Sequence, residues 1–100
     1  MEKEIKVLVV RPFEQAEEVI IKNDLHEMQD IVGGWIEAVP YQDVIIVCNE
    51  EGKLLGLPIN RKFGDYDVLV GTFFICRADG EDFGSLTDEQ IVKYKKHFAL

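Results

Sequence analysis

The segment GLPINR at residues 56–61 concentrates side chains that could bind a ligand. Glycine permits close backbone approach and proline fixes the backbone angle φ, so the residues after them would be held in one orientation. Arg61 offers a planar fork for a carboxylate or phosphate, and Asn60 offers a donor and an acceptor. One interpretation is therefore an anion or nucleotide contact. The other is structural, with Asn60 capping a short turn and Arg61 pairing with an acid such as Asp65 or Asp67.

A tryptophan that follows two glycines is the other candidate for ligand binding. Trp35 comes directly after Gly33 and Gly34, where its ring could stack on a base or another ring. The alternative is a core position at the start of a strand. Trp35, Asn60 and Arg61 are thus the candidate ligand-binding residues, and a convergence of the three would indicate a pocket.

The remaining reactive side chains do not form a pattern that indicates catalysis. His26 and His97 have no nucleophile at a recognisable spacing and are expected on the surface. Cys48 and Cys76 lie in apolar runs, whereas reactive thiols need exposure and nearby positive charge. The sequence has no Cys-x-x-Cys pair, phosphate-binding glycine loop or nucleophile elbow. We therefore assign no catalytic residue, metal ligand or cofactor, and expect a protein that is not an enzyme.

The distribution of charge restricts the partners of this chain. The formal net charge is −8, and residues 1–53 hold twelve acidic and five basic residues against seven and six in residues 54–100. Such a surface repels phosphate backbones, so direct nucleic-acid binding is not expected. The acidity serves either solubility or attraction to a basic partner.

A variant of the second interpretation is mimicry of a nucleic acid. It requires six carboxylates to line one face at phosphate-like spacing, and the alternative is a solvated acidic edge. The six residues are Glu14, Glu17, Glu18, Asp24, Glu27 and Asp30.

The cysteines and the amino terminus indicate the compartment. Two cysteines in apolar runs behave as small buried hydrophobic residues, which suits a reducing environment. The stretch MEKEIKVLVV has neither the long apolar core nor the cleavage site of a signal peptide, and no run is long enough to cross a membrane. We expect a cytoplasmic protein without a membrane segment.

The elements that must position these residues are predicted from hydrophobic periodicity and turn signals. One hundred residues suit a single domain, 1–100. Capping patterns predict two short helices, at about 24–32 with Asp24 as N-cap and at 88–98 with a Thr87–Gln90 capping box. Apolar and alternating runs predict strands. The strands are expected at 4–10, 16–22 (an edge strand), 35–39, 44–48, 53–57 and 67–76.

These elements predict an α+β fold with a mostly antiparallel, curled sheet of five to six strands. The runs 44–48 and 67–76 are apolar on both faces, so they need cover from a half-barrel or from a second copy of the chain. Pro40 is expected to punctuate the chain before the first of these runs. Gly52 is expected to take the left-handed position of a hairpin turn, and Gly71 to mark a bulge or a close backbone approach. The residues expected to shape turns are Gly33, Gly34, Gly52, Gly56 and Pro58.

Four stretches of the chain resemble the domain of unknown function 3846 family. They are QDIVGGWIEAV (29–39), CNEEGKLLGLPINR (48–61), GTFFI (71–75) and DGEDFGSLTDEQIVKY (79–94). Their order and spacing agree with the family over nearly the whole chain. The resemblance implies an accessory protein of bacteriophages, plasmids and conjugative elements, mainly of Gram-positive hosts, and it carries over no catalytic residue.

Two hypotheses of function follow from these observations. The first is a non-enzymatic interaction module that binds a host protein, such as a defence factor, through charge complementarity and an apolar patch. The second is a small-molecule or nucleotide-sequestering protein that uses Asn60 and Arg61, with a pocket at a homodimer interface. An enzyme is the least supported alternative.

Overall fold

A computed structural model describes residues 2–65 and 67–100 of the chain. Within these ranges the chain forms eight strands and two helices. In chain order they are β1 (Glu4–Val10), β2 (Glu17–Lys22), α1 (Leu25–Val32), β3 (Ile36–Tyr41), β4 (Val44–Asn49), β5 (Ile59–Phe63), β6 (Asp67–Val70), β7 (Phe73–Asp79), β8 (Asp82–Gly84) and α2 (Asp88–His97). The predicted α+β class is confirmed.

Six of the strands form one sheet in which every described pair is antiparallel. The order is β2-β1-β7-β4-β3, so β2 and β3 are its edges, as predicted for β2. The short β8 continues the position of β1, because Arg77 of β7 pairs with Val44 on one side and with Gly84 on the other. Strands β5 and β6 form a separate hairpin.

The sheet is covered on both faces, which explains its apolar strands. On β1, Val7 and Val9 point into a cluster with α1, while Leu8 and Val10 point into a second cluster. The second cluster is closed by α2 and by Leu69 of the β5–β6 hairpin. Both faces are thus buried within one chain, and the apolar strands do not require a second copy to cover them.

Local signals account for both helices. Asp24 accepts a hydrogen bond from the backbone N–H of Glu27, and Gly33 ends α1 in the left-handed conformation with φ of 80°. The predicted capping box at Thr87 and Gln90 is present at the start of α2. Neither helix in the part of the chain that the structure describes has the length and hydrophobicity to cross a membrane.

The run at 67–76 forms two strands and not the single strand predicted, because the chain turns at Gly71 and continues in another sheet. Residues 67–70 pair with β5, whereas β7 enters the main sheet at Phe73. Gly71 has φ of 70° and donates its N–H to the Pro58 carbonyl at 2.7 Å. A Cβ atom at this position would lie 2.7 Å from the Cδ1 atom of Leu57. The close backbone approach expected at Gly71 is confirmed, but it makes a corner and not a bulge.

Two further predictions around β4 are corrected. Residues 53–56 lie in turns, residue 57 is in no strand, and the next strand is β5. Gly52 lies in the turn as expected but not in the left-handed conformation; a Cβ atom there would meet the Cγ2 atom of Val70 at 2.8 Å. Pro40 lies inside β3, where an edge strand tolerates the missing donor.

Polar side chains fasten the β3–β4 turn to α2. The carboxylate of Asp43 accepts hydrogen bonds from the hydroxyl of Tyr94 and, at 2.8 Å, from Nε2 of Gln90, and Lys93 Nζ lies 3.5 Å away. Tyr94 is fully buried, so its hydroxyl needs an acceptor. The hydrogen bonds from Tyr94 and then Gln90 lower the pKa of Asp43 to about 2, while burial and then Asp43 raise the pKa of Tyr94.

Replacing Asp43→Asn should reduce the free energy of unfolding by about 1 kcal/mol at neutral pH, after allowance for solvent screening of a half-exposed carboxylate. The folded-state pKa lies below the ordinary value of 3.8, so this stabilisation is complete above about pH 4 and is lost as the pH falls toward 2. Urea unfolding of both proteins from about pH 7 to about pH 2 should show their difference shrinking across that window.

The matched control is Asp65→Asn, an exposed carboxylate in the β5–β6 turn, which should change the free energy of unfolding by less than about 0.5 kcal/mol. A difference between wild type and Asp43→Asn that stays constant down to pH 2 would contradict this account of Asp43.

Candidate functional site

Arg61 is buried and is bound by backbone carbonyls. Only 8% of the residue is exposed to solvent. The Nε atom donates to the Phe98 carbonyl at 2.7 Å, Nη2 donates to the Glu14 carbonyl, and Nη1 donates to Oδ1 of Asn60 at 2.7 Å. The predicted ion pair with Asp65 or Asp67 is wrong, since Asp67 pairs with Lys53.

The side chain of Asn60 also binds backbone carbonyls. Its Nδ2 group donates to the Val10 carbonyl at 2.8 Å and to the Gly71 carbonyl at 2.7 Å. The side chain therefore joins the end of β1 to the corner between β6 and β7. These contacts favour the structural interpretation of Asn60 and Arg61 over the ligand-binding one, although Asn60 connects elements and does not cap a turn.

The buried guanidinium is stabilised by the end of a helix. Desolvation lowers the pKa of Arg61, because burial disfavours the charged form. The acceptor at Phe98 is the C-cap of α2, where the partial negative charge of the helix dipole favours a cation. The site thus compensates the positive charge with oriented carbonyls.

Replacing Arg61→Lys should lower the free energy of unfolding by about 2–3 kcal/mol, since an ammonium group cannot reach three acceptors that lie in different directions. The midpoint and slope of urea unfolding measure this loss. The matched control is Lys62→Arg at the neighbouring exposed position, expected within about 0.5 kcal/mol of wild type. If Arg61→Lys is as stable as wild type, the guanidinium fork does not hold these segments together.

Trp35 lies on the surface, so the expectation of a core position is wrong. The residue is 64% exposed and directly precedes β3. Its backbone carbonyl accepts the N–H of Glu50 at 2.8 Å, which places it beside the end of β4. The contacts of Arg61 lie instead at Phe98 and Glu14, so Trp35 and Arg61 do not share partners.

A cleft of about 200 Å³ opens between the end of the β3–β4 pair and the β5–β6 hairpin. Apolar side chains from both elements contribute to it, including Val39, Phe63 and Leu69. The polar lining consists of Glu37, Asn49, Glu50, Lys53 and Asp67. The turn after β4 completes the lining with Glu50, Gly52, Lys53 and Leu54.

The polar groups of the cleft include an ion pair and a thiol whose pKa is raised. Lys53 and Asp67 form an ion pair, and the hydrogen bond from Lys53 lowers the pKa of Asp67. The thiol of Cys48 lines the cleft, but burial and then the charge of Glu37 raise its pKa to about 11. Burial also raises the pKa of Cys76 to about 12, so both thiols are protonated at neutral pH.

A rim of exposed apolar and acidic side chains is formed by residues that line this cleft and by their neighbours. Leu54 is 87% exposed and lines the cleft, and Leu55 beside it is 61% exposed. The rim is defined by Trp35, Glu37, Glu50, Glu51, Leu54 and Leu55, all of them exposed. Sequence reasoning missed the two leucines because it placed them in a strand; two adjacent leucines between Gly52 and Gly56 are the signal for an apolar loop.

The acidic residues considered for nucleic-acid mimicry do not share one face. Glu17 pairs with Val9 and Glu18 with Leu8, so these carboxylates project from opposite faces of β2. Asp24 is engaged as the N-cap of α1. The arrangement fits the alternative of a solvated acidic edge.

The two histidines occupy surface positions, as predicted. His26 lies 3.5 Å from Asp30 on α1, and Nε2 of His97 lies 2.8 Å from the hydroxyl of Tyr41. Across residues 2–65 and 67–100, no three His, Cys, Asp or Glu side chains are placed to hold a metal ion together.

Comparison with known proteins identifies a family but no characterised relative. A family model described as a domain of unknown function (DUF3846) matches residues 5–99. No curated protein and no solved structure matches the chain. The match covers nearly the whole chain and confirms the resemblance seen in its four sequence stretches.

Proposed function

The chain belongs to the DUF3846 family, and for it we propose a role in recognising a protein partner without catalysis. The observation that carries the proposal is the rim, where Leu54 and Leu55 are exposed beside the carboxylates of Glu50 and Glu51. Exposed apolar groups bordered by charge are typical of interaction surfaces.

The charge of the rim specifies the chemistry of the partner. Glu37, Glu50 and Glu51 contribute three negative charges, while the nearby Lys53 is engaged by Asp67. A chain with a net charge of −8 adds long-range attraction for cations. The partner is therefore a protein segment that carries Lys or Arg beside apolar side chains, and the family resemblance to mobile-element proteins makes a host protein the proposed source.

The nucleotide-sequestering alternative has less support. The cleft is smaller than the roughly 300–1,000 Å³ of common ligand pockets, and its carboxylates oppose phosphate. Among the residues that the structure describes, each buried side-chain nitrogen or oxygen has a hydrogen-bond partner, so none of them is an orphaned donor awaiting a ligand. A thermal shift with a nucleotide that disappears in Trp35→Ala would favour this alternative over ours.

A displayed peptide library tests the proposed recognition. The wild-type protein should enrich peptides with Lys or Arg next to large apolar residues. With an enriched peptide, Glu50→Lys combined with Glu51→Lys should weaken binding by about tenfold or more at low salt and by less at high salt. Leu54→Ser combined with Leu55→Ser should weaken it by a similar factor at both salt concentrations, because the apolar contact is not screened. Isothermal titration calorimetry measures each affinity.

The control for the leucine variant is Val92→Ser combined with Leu100→Ser, which removes two exposed apolar side chains outside the rim. The control should bind as wild type does. Equal affinity of the rim variants and the control, or a failure to enrich any basic and apolar sequence, would overturn the proposal. Capture from the natural host followed by competition with the enriched peptide then identifies the protein that carries such a segment.

A further inference from the structure

The two edges of the main sheet differ in their ability to pair with another strand. An edge strand exposes unpaired N–H and C=O groups that can bind a further strand. In β3 the edge contains Pro40, which lacks a donor and interrupts such pairing. In β2 the edge has no proline, and its pairing with β1 runs without a shift from Glu17 to Lys22. The β2 edge is therefore regular and available.

The side chains of β2 are sorted between the two faces of the sheet. Its register with β1 puts Glu18, Ile20 and Lys22 on the face of α2, and Val19 and Ile21 on the face of α1. Ile20 is 64% exposed, so an apolar side chain lies open to solvent in the middle of the strand. An acid, an isoleucine and a base thus follow one another along one face. The carboxylate of Glu18 lies 4.0 Å from Nζ of Lys6, and its side chain is 45% exposed, so it is accessible to a second cation.

Symmetry limits how a second copy could pair with this edge. Two antiparallel strands of identical chains are related by a two-fold axis perpendicular to the sheet, so opposed residues lie on the same face and the axis passes through a residue pair of equal number. When the axis is centred on Ile20, Glu18 of each copy lies opposite Lys22 of the other, and the two Ile20 side chains lie opposite each other. Centring on Val19 puts Glu18 opposite Ile20, and centring on Ile21 puts Lys22 opposite Ile20. Of these three registers, only the first places opposite charges against each other and apolar side chains against each other.

We propose that a second copy of this chain adds to the main sheet by antiparallel pairing of β2 with β2, centred on Ile20. Main-chain hydrogen bonds join the two sheets, and cross-strand Glu18–Lys22 and Ile20–Ile20 pairs select the register. Each copy carries a net charge of −8, so moderate salt strengthens the association by screening the overall repulsion. The β2 edge lies at the opposite end of the strand order from β3 and the rim, so this pairing is independent of the proposed function.

Charge exchange across the β2 edge tests the pairing. The variant Glu18→Lys opposes Lys to Lys, and Lys22→Glu opposes Glu to Glu, so each alone should be monomeric at concentrations where the wild type is dimeric. Mixed together, the two variants should form a dimer, because every opposed pair is again of opposite sign and the total charge equals that of two wild-type chains. Sedimentation equilibrium measures the mass of each sample, and native mass spectrometry distinguishes the mixed dimer from either variant paired with itself.

The mixing experiment also controls for folding, since two unfolded variants would not regain a defined dimer. Glu89→Lys on the exposed face of α2 changes the net charge as Glu18→Lys does and should leave the dimer intact. A wild-type chain that sediments as a monomer up to millimolar concentration would overturn the proposal. So would single variants that remain dimeric, or a mixture that stays monomeric.

Discussion

The arrangement of this fold depends on the burial of one guanidinium group. A cation removed from water needs acceptors that match its geometry, and Arg61 finds them on the carbonyls of Phe98 and Glu14 and on the side chain of Asn60. Asn60 in turn binds the carbonyls of Val10 and Gly71. Two adjacent residues therefore join the end of α2, the loop after β1 and the corner before β7. Because most of these acceptors belong to the backbone, the contacts fix the path of the chain and hold the β5–β6 hairpin against the sheet, and the cleft lies between them.

Elements with local signals could be predicted from the sequence, whereas those set by distant contacts could not. The helix ends at Asp24 and Thr87 follow from side chains within three residues of the cap. The apolar runs of β1, β4 and β7 likewise indicate strands that are buried on both faces. The break at Gly71 depends instead on the approach of Leu57 and Pro58, which no periodicity reveals. A continuous apolar run was consequently predicted as one strand when it belongs to two sheets.

In the candidate site, too, residue types could be recognised from the sequence, but contacts between distant residues could not. The chemistry of Asn60 and Arg61 was recognisable from residue type, but whether their donors face solvent or the protein interior is decided by carbonyls 11 to 50 residues away for Asn60 and 37 to 47 away for Arg61. A position at the start of a strand favours a core role for Trp35, yet the residue is 64% exposed and only its backbone carbonyl meets the turn after β4, at the N–H of Glu50. A hairpin turn at Asn49–Gly52 predicts a returning strand, and this prediction placed Leu54 and Leu55 in a strand and not in an exposed loop. Residue type thus identified unusual positions, and tertiary structure assigned their roles.

The β2 edge and the rim differ in the local order of their charges, although both belong to the same acidic chain. Overall repulsion disfavours contact between copies, and a surface that carries both signs in a self-complementary order offsets it. The β2 edge meets this condition with Glu18 and Lys22 on either side of Ile20. The rim does not, since Glu37, Glu50 and Glu51 are all negative and the nearby Lys53 pairs with Asp67, so its charge is of one sign. The same physical rule that favours the proposed self-association at β2 therefore favours the proposed basic partner, from another protein, at the rim.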